Sequence, residues 1–199
     1  QYGWLSEEAE EGVSRHTKTI VFIVDPIDGT RSFIAGVETW AHSLAVVENG
    51  IPLAAVIYLP KMDLLYTAAV GKGAFLNGDK IAVSQNCELK SAEILTKKSI
   101  FEENIWKSGN SALFKQRYRP SLAYRLALVA EGTFDAMITL GRSWEWDICA
   151  GHLLVSEAGG SVTNSVGNEI VYNSNAGSSK GIIAGNPAIH KSVTKELNF

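Results

Sequence analysis

A β-branched apolar run that ends in acidic residues constrains the fold of this chain more than any other stretch. The segment TIVFIV covers Thr19–Val24 and has the length of a buried strand. It runs directly into Asp25 and Pro26, and Pro26 cannot donate a ladder hydrogen bond, so we expect the strand to end there. A plain turn would explain the Asp, Pro and Gly residues that follow. A site for a cation and a phosphate would explain them equally, and other acidic residues along the chain distinguish the two explanations.

Composition excludes several classes of protein. The chain has 199 residues, of which 46% are hydrophobic, enough to bury a core as one or two domains. The net charge is −3 and there is no run of basic residues, so neither nucleic acid nor an anionic membrane surface is indicated. No apolar stretch is long enough to cross a bilayer. Cys87 and Cys149 are too few for a disulfide framework, so we expect a reducing, cytoplasmic location.

The first half of the chain predicts strands joined by tight turns. An acidic loop at Ser6–Gly12 precedes them, and Asn49-Gly50 predicts a hairpin. The predicted strands after the first are Ala41–Val47, Leu53–Leu59, Leu64–Val70 and Ala92–Thr96.

The second half alternates helices and strands. Helices are predicted at Pro120–Gly132, at Trp146–Gly160 and after Pro187. Strands are predicted at Phe134–Ile138, Ser161–Thr163 and Gly181–Ala184. Hairpins followed by mixed strand–helix units predict an α/β (α+β) protein of layered sheets with helices between them.

Asp25 and Asp28 are the first candidate metal ligands. Two carboxylates at the end of a buried strand are unfavourable unless they are paired or bind a cation. Their mutual repulsion would also raise one pKa. Oxygen ligands of this kind suit Mg²⁺, and the kink after Pro26 would turn the Ile27 carbonyl toward the ion.

Gly29 and Thr30 are candidate phosphate contacts. If a helix opens at Thr30, the amides of both residues face outward at its N-terminus, which attracts anions. The Thr30 hydroxyl would either cap that helix or orient an attacking water.

Two distant acidic positions have simple structural explanations when each is considered alone. Glu7 and Glu8 would be a solvated acidic loop, and Asp147 would be the N-cap of the second long helix. The three acidic stretches have to be judged together.

Together, LSEE, DPIDGTRSF and WEWDICAGHLLVSEAGG resemble the acidic pair and two signatures of the inositol monophosphatase superfamily of Mg²⁺-dependent, lithium-sensitive phosphatases. The similarity runs from about Tyr2 to the end and includes GKGAFLNG and IIAGNP. It implies a layered α-β-α-β-α sandwich with a single catalytic domain over residues 1–199, in halves 1–118 and 119–199. The family has about two helices before the acidic pair, and we expect this segment to be absent here.

The resemblance also implies roles for individual residues. The implied metal ligands are Glu7, Asp25, the Ile27 carbonyl, Asp28 and Asp147. The implied substrate contacts are Asp28, Gly29, Thr30, Ser121 and Asp147. The implied catalytic residues are Glu7, Asp28 and Thr30, of which Glu7 and Thr30 would orient the attacking water.

The expected reaction is Mg²⁺-dependent hydrolysis of inositol monophosphate to inositol and phosphate. Adenosine 3′(2′),5′-bisphosphate is an alternative substrate, because Ala150–His152 resembles that branch, and histidinol phosphate is another. Two features depart from the inositol phosphatases that the chain resembles. Ser121-Leu122 stands where those enzymes have a smaller pair of residues. No acid clearly matches the one that binds the inositol hydroxyls in those enzymes, and Glu145, the nearest candidate, is offset in register. A phosphoaspartyl phosphatase ranks low because it needs D-x-D, and a non-catalytic metal-binding module stays open. The resemblance implies a homodimer.

Overall fold

The computed structural model describes residues 2–9, 13–102, 104–109 and 113–198. They form two main sheets, one small two-stranded sheet and four α-helices. Part of the predicted acidic loop, residues 10–12, lies outside the described residues. Among the described helices, none has the length and apolar character needed to cross a membrane.

The larger sheet has seven strands in sequence order. The first two strands are parallel, and each later strand pairs antiparallel with the one before it. The strands are β1 (Gly3–Ser6), β2 (Ile20–Asp28), β3 (Ala41–Glu48), β4 (Ile51–Leu59), β5 (Leu64–Ala69), β6 (Gly73–Leu76) and β7 (Asp79–Ile81).

The second sheet has five strands in a crossed order, β12-β14-β10-β8-β9. These strands are β8 (Glu93–Leu95), β9 (Lys115–Arg117), β10 (Ala136–Thr139), β12 (Ser161–Thr163) and β14 (Ile182–Gly185). Two short strands, β11 (Ser143–Trp144) and β13 (Ser178–Ser179), pair separately. In the five-stranded sheet, β8 runs parallel to both β9 and β10, so the carboxyl ends of these three strands lie at the same edge.

The helices separate and cover the sheets. They are α1 (Thr30–Ile34), α2 (Leu122–Ala130), α3 (Glu145–Glu157) and α4 (Pro187–Glu196), and short 3-10 turns lie at Val13–Thr17, Leu89–Ser91 and Lys98–Phe101. Helices α2 and α3 pack between the two sheets in one large core, and α4 packs on the far side of the five-stranded sheet in a second core. The described layers are therefore sheet, helix pair, sheet and helix, which confirms the predicted layered α/β sandwich.

A glycine allows the two central helices to approach closely. A Cβ atom on Gly151 of α3 would lie 2.4 Å from the Leu126 side chain of α2, so a larger residue would force the helices apart. Helix α3 carries a candidate metal ligand in its first turn. The packing at Gly151 therefore fixes where that ligand is presented.

Most predicted elements are confirmed, with two kinds of difference. The Asn49-Gly50 hairpin is present, with positive φ at both residues as a two-residue turn requires. The strand predicted to end at Asp25 continues to Asp28, and β1, β6 and β7 have no counterpart among the predicted strands. These three strands have four, four and three residues, which is too short for a hydrophobic periodicity to be recognised in the sequence.

Candidate metal centre

A bulge in β2 places two aspartates on the core side of the sheet. Val21, Ile23 and Asp25 alternate on the buried face, as the two-residue period of a strand dictates. Asp25 pairs with Ser43 while Asp28 pairs with Ala41, so three steps along β2 match two steps along β3. This extra residue changes the phase of the strand, and Asp28 becomes buried on the same side as Asp25.

Helix α3 brings the third carboxylate to the same point. Asp147 lies in the first turn of the helix, whose N-cap is Trp144, so Asp147 is not the N-cap that its sequence position suggested. The Ser43 hydroxyl donates a buried hydrogen bond of 2.9 Å to the Trp146 carbonyl, which ties this turn to the strand residue opposite Asp25. One carboxylate oxygen from each of Asp25, Asp28 and Asp147 lies within 4.8 Å of the other two.

The environment of these carboxylates disfavours their charged forms. The pKa of Asp25 is raised to about 7, first by burial and then by repulsion from Asp28 and Glu7. The pKa of Asp147 is raised to about 9, again first by burial and then by the charges of Asp28 and Asp25. Burial also raises the pKa of Asp28. A bound cation would offset the desolvation and repulsion that these three groups share.

Asp28 is held in place by the start of α2. Its Oδ2 accepts hydrogen bonds of 2.6 Å from the Ser121 hydroxyl and from the Ala123 amide. The Ser121 oxygen also caps α2 by accepting from the Tyr124 amide at 3.0 Å. The Ser121 hydroxyl therefore orients a metal-ligand candidate, and its predicted contact with substrate stays a prediction.

The residues between the two aspartates form a turn of defined geometry. The Ile27 amide donates to Asp25 Oδ1 at 2.8 Å, and the Thr30 hydroxyl donates to the Ile27 carbonyl at 3.1 Å. Gly29 is the N-cap of α1 with φ of 93°, and a Cβ there would lie 3.3 Å from the Ser121 Cβ. Glycine is therefore required by both backbone conformation and space. The Thr30 hydroxyl bonds to a carbonyl and does not cap the helix.

Glu7 lies just beyond β1 and is exposed. It is not part of the close carboxylate cluster, but its charge contributes to the raised pKa values of both Asp25 and Asp147. The parallel pairing of β1 with β2 sets Ser6 opposite Val24, which brings the acidic turn to the same edge as Asp25. Glu7 therefore lies near the cluster of three aspartates, and its side chain is exposed to solvent.

The donor set fits a hard divalent cation. Three carboxylates converge without any nitrogen or sulfur ligand among them, and Mg²⁺ binds through a few such oxygens while keeping room for water and phosphate. Asp28 Oδ2 and Asp25 Oδ1 accept hydrogen bonds from neighbouring protein groups, which leaves the second oxygen of each carboxylate for a cation. The arrangement is therefore suited to a cation held by these three aspartates.

Glu145 does not serve as an acid for gripping substrate hydroxyls. It is only 1% exposed, and its two oxygens accept from the Asn173 amide and from both the amide and the hydroxyl of Ser174. Burial raises its pKa, while these hydrogen bonds and the charge of Arg15 oppose the rise. The carboxylate holds the 173–174 turn against α3, so the offset candidate from the sequence is wrong.

We predict that Glu145→Gln reduces stability without changing substrate preference. The substitution places an NH₂ group against backbone donors in a buried pocket, which costs about 1–3 kcal/mol. Chemical denaturation should show the loss, and the ratio of kcat/KM between two substrates should stay the same. A changed substrate ratio would return Glu145 to the substrate site.

Sequence reasoning missed the residues that position the aspartates. Ser43 is a polar residue on the buried phase of β3, between Ala41 and Ala45, and that mismatch with its neighbours is a readable signal. The Ala123 amide gave no signal, because any residue supplies one. Its contact with Asp28 arises only from how α2 packs on β2.

Comparison with known proteins agrees with this site. Residues 2–199 match the model of the inositol monophosphatase family. The inositol-1-monophosphatase of Bacillus subtilis (strain 168) is 34% identical over 198 residues, which cover 96% of this chain and 73% of that protein. The fructose-1,6-bisphosphatase/inositol-1-monophosphatase of Thermotoga maritima is 37% identical over 191 residues, which cover 96% of this chain and 72% of that protein.

A solved structure shows the same fold. The crystal structure of SaIMPase-II bound to inositol monophosphate superposes with a TM-score of 0.87 at 26% identity, covering 99% of this chain and 76% of that one. The family match extends over nearly the whole chain and confirms the resemblance first drawn from three acidic motifs. The chain belongs to the inositol monophosphatase family.

Proposed function

We propose that this chain hydrolyses a small-molecule phosphate monoester with Mg²⁺ as its cofactor. The proposed substrate is inositol monophosphate, and the products are inositol and phosphate. Its class, phosphoric monoester hydrolase, follows from its family and the relatives named above. The substrate and the metal are the proposal. The observation that carries it is the convergence of Asp25, Asp28 and Asp147 within 4.8 Å beside the Gly29-Thr30 turn.

Five groups would hold the metal ions. Asp25, Asp28 and Asp147 would supply the shared ligands, and Glu7 and the Ile27 carbonyl would complete the set on the solvent side. When bound, Mg²⁺ supplies Lewis-acid stabilisation of phosphate charge and a lower pKa for water. The protein's part is to keep the three aspartates fixed, through Ser43 on one side and Ser121 on the other.

The Gly29-Thr30 turn would position the phosphate and the water. The backbone amides of Gly29 and Thr30 lie at the N-terminus of α1, where N–H groups have no acceptor within the helix. We assign them to the phosphate oxygens. Glu7 and the Thr30 hydroxyl would orient the water that attacks phosphorus. A bond from the water oxygen to phosphorus would form as the bond to the leaving oxygen breaks, and the proton that the water loses would balance the one that the leaving alkoxide takes up to become the alcohol. Glu7 is exposed, as a group that meets an incoming water must be.

Other substrates of this class stay as alternatives. The acid expected to grip inositol hydroxyls has no counterpart in 139–145, because Glu145 is buried and bonded. Adenosine 3′(2′),5′-bisphosphate, histidinol phosphate and fructose bisphosphate are the competing substrates, and the last is named in the Thermotoga relative.

A homodimer in the cytoplasm is part of the same proposal, and sedimentation at two concentrations tests the dimer.

Phosphate release tests the proposal directly. The purified chain should release phosphate from one or more of inositol monophosphate, adenosine 3′,5′-bisphosphate, histidinol phosphate and fructose 1,6-bisphosphate when Mg²⁺ is present. Release should stop with EDTA and return when Mg²⁺ is added in excess. Lithium should inhibit, as the family resemblance implies. Absence of release from all four with Mg²⁺ present would favour a non-catalytic metal-binding module.

A further inference from the structure

One residue of β3, His42, lies opposite the bulge in β2 that carries two of the aspartates. It lies between the two β3 residues that pair with Asp25 and Asp28. Pro26 and Ile27 therefore face it together, because a bulge places two residues of one strand opposite one residue of the other. A bulge also disrupts the local ladder, so its backbone groups need other hydrogen-bond partners. The His42 side chain lies on the exposed face of β3, where it can supply one.

The His42 side chain bonds to the backbone of the bulge. Its Nδ1 lies 2.5 Å from the Pro26 carbonyl oxygen. A carbonyl oxygen can only accept a hydrogen bond, so Nδ1 must carry a proton whether the ring is neutral or charged. This contact therefore fixes the neutral ring as its Nδ1–H tautomer.

The same peptide group is bonded at its other end to a metal-ligand candidate. The Pro26 carbonyl and the Ile27 amide belong to one planar unit, so fixing the carbonyl also orients the amide. The Ile27 amide donates to Asp25 Oδ1 at 2.8 Å. His42, the peptide and Asp25 thus form a chain of two hydrogen bonds, and bonds in such a chain strengthen one another. The chain engages one oxygen of Asp25 and leaves the other for a cation.

Aromatic contacts hold the His42 ring in place. The ring lies edge-on to Trp40, with centres 5.3 Å apart and planes at 88°, and it stacks against Tyr58 at 6.3 Å. The Tyr58 hydroxyl donates to Asp63 Oδ1 at 3.2 Å, which limits the movement of that ring. Trp40 in turn packs edge-on against Phe33 of α1, with ring centres 5.0 Å apart. The imidazole donor is therefore preorganised, and its supporting rings reach the helix that follows β2.

We propose that His42 is a positioning residue, which orients Asp25 through the peptide between Pro26 and Ile27 and so raises the affinity of the metal centre. The effect on metal binding rests on the proposed function, whereas the chain of hydrogen bonds is present without metal. Groups behind the ligands of a metal site typically fix ligand orientation in this way. The role needs no change in the charge of the ring, because Nδ1 carries a proton in both forms.

Two substitutions at this position separate the donor from the ring. His42→Asn keeps an N–H donor near the position of Nδ1 and removes the ring, whereas His42→Phe keeps an aromatic ring and removes the donor. By titration calorimetry, Mn²⁺ should bind to His42→Phe about tenfold more weakly than to the wild type, and to His42→Asn within about twofold of it. His16→Asn, at an exposed position of the first 3-10 turn, is the control and should bind Mn²⁺ as the wild type does. Affinity in His42→Phe that equals or exceeds that in His42→Asn would show that the ring matters only through packing and would overturn the proposal.

Two NMR measurements on the protein in EDTA test the chain without metal or activity. The imidazole ¹⁵N shifts should show the neutral ring of His42 as the Nδ1–H tautomer. Amide exchange of Ile27 should be about tenfold faster in His42→Phe than in the wild type and unchanged in His42→Asn. A neutral ring protonated at Nε2, or equal Ile27 exchange in wild type and His42→Phe, would overturn the proposal. If the wild type binds no Mn²⁺, the proposed function fails, and these measurements alone decide whether His42 orients Asp25.

Discussion

Asp147→Asn should lower kcat for phosphate release by about 10³-fold while the protein stays folded. The substitution keeps the shape of the side chain and removes one negative charge from a set of three converging aspartates. Metal-ion catalysis contributes several kcal/mol of transition-state stabilisation, and each 1.36 kcal/mol is about tenfold in rate. Steady-state rates over a range of Mg²⁺ concentration measure the effect.

The fold should tolerate this change because the charge is unfavourable without metal. Burial and the neighbouring aspartates raise the pKa of Asp147 to about 9, so a neutral amide matches the state that the metal-free site already prefers. Asp79→Asn, at an exposed position of β7, is the control for loss of one acidic charge and should keep full activity. Near-normal turnover in Asp147→Asn at saturating Mg²⁺ would contradict the metal assignment.

The metal-free protein should lose stability as pH rises from 7 to 8.5. In the unfolded chain Asp147 titrates near 3.8 and has lost its proton, whereas the folded chain keeps that proton until about pH 9. The folded state therefore binds more protons than the unfolded state, and stability falls by up to about 1.4 kcal/mol per pH unit. Asp25, whose pKa is about 7, adds to the loss near the lower limit of this range. We expect a total near 2 kcal/mol, or a fall in Tm of about 4–8 °C.

Two comparisons isolate the cause of this slope. Asp147→Asn should flatten it, because the variant has no proton to release at that position. Excess Mg²⁺ should also flatten it, since a bound cation stabilises the charged carboxylates. The buried His152, with its pKa lowered to about 4, is neutral in the folded state, and its unfolded form loses its last protons just above pH 7, so its contribution is small and opposite in sign. A slope that is the same in wild type and Asp147→Asn would show that other groups cause it.

The sequence predicted the layers because they depend on local patterns. Thr19–Val24, the Asn49-Gly50 turn and the two long helices each carry the periodicity or turn chemistry of the element that they form. Three acidic motifs in family order then pointed to one site. Their convergence is a property of the whole chain, and 119 positions separate Asp28 from Asp147.

The rest depended on packing that no local pattern encodes. The end of β2 was misplaced because Pro26 removes one donor, yet a bulge absorbs it and the strand resumes at Asp28. The role of Ser121 became clear only when α2 was seen to place its hydroxyl against Asp28. Glu145 was misjudged for a similar reason, since the turn at 173–174 that occupies it lies 28 residues away in sequence.

The position of a bound cation tests the central claim most directly. Crystals grown with Mn²⁺ in place of Mg²⁺ give an anomalous signal that locates the ion without reference to activity. The account predicts a peak within coordination distance of carboxylate oxygens from Asp25, Asp28 and Asp147, and no such peak in crystals of Asp147→Asn at the same Mn²⁺ concentration. An ordered Mn²⁺ bound elsewhere, with these three aspartates free of metal, would contradict it.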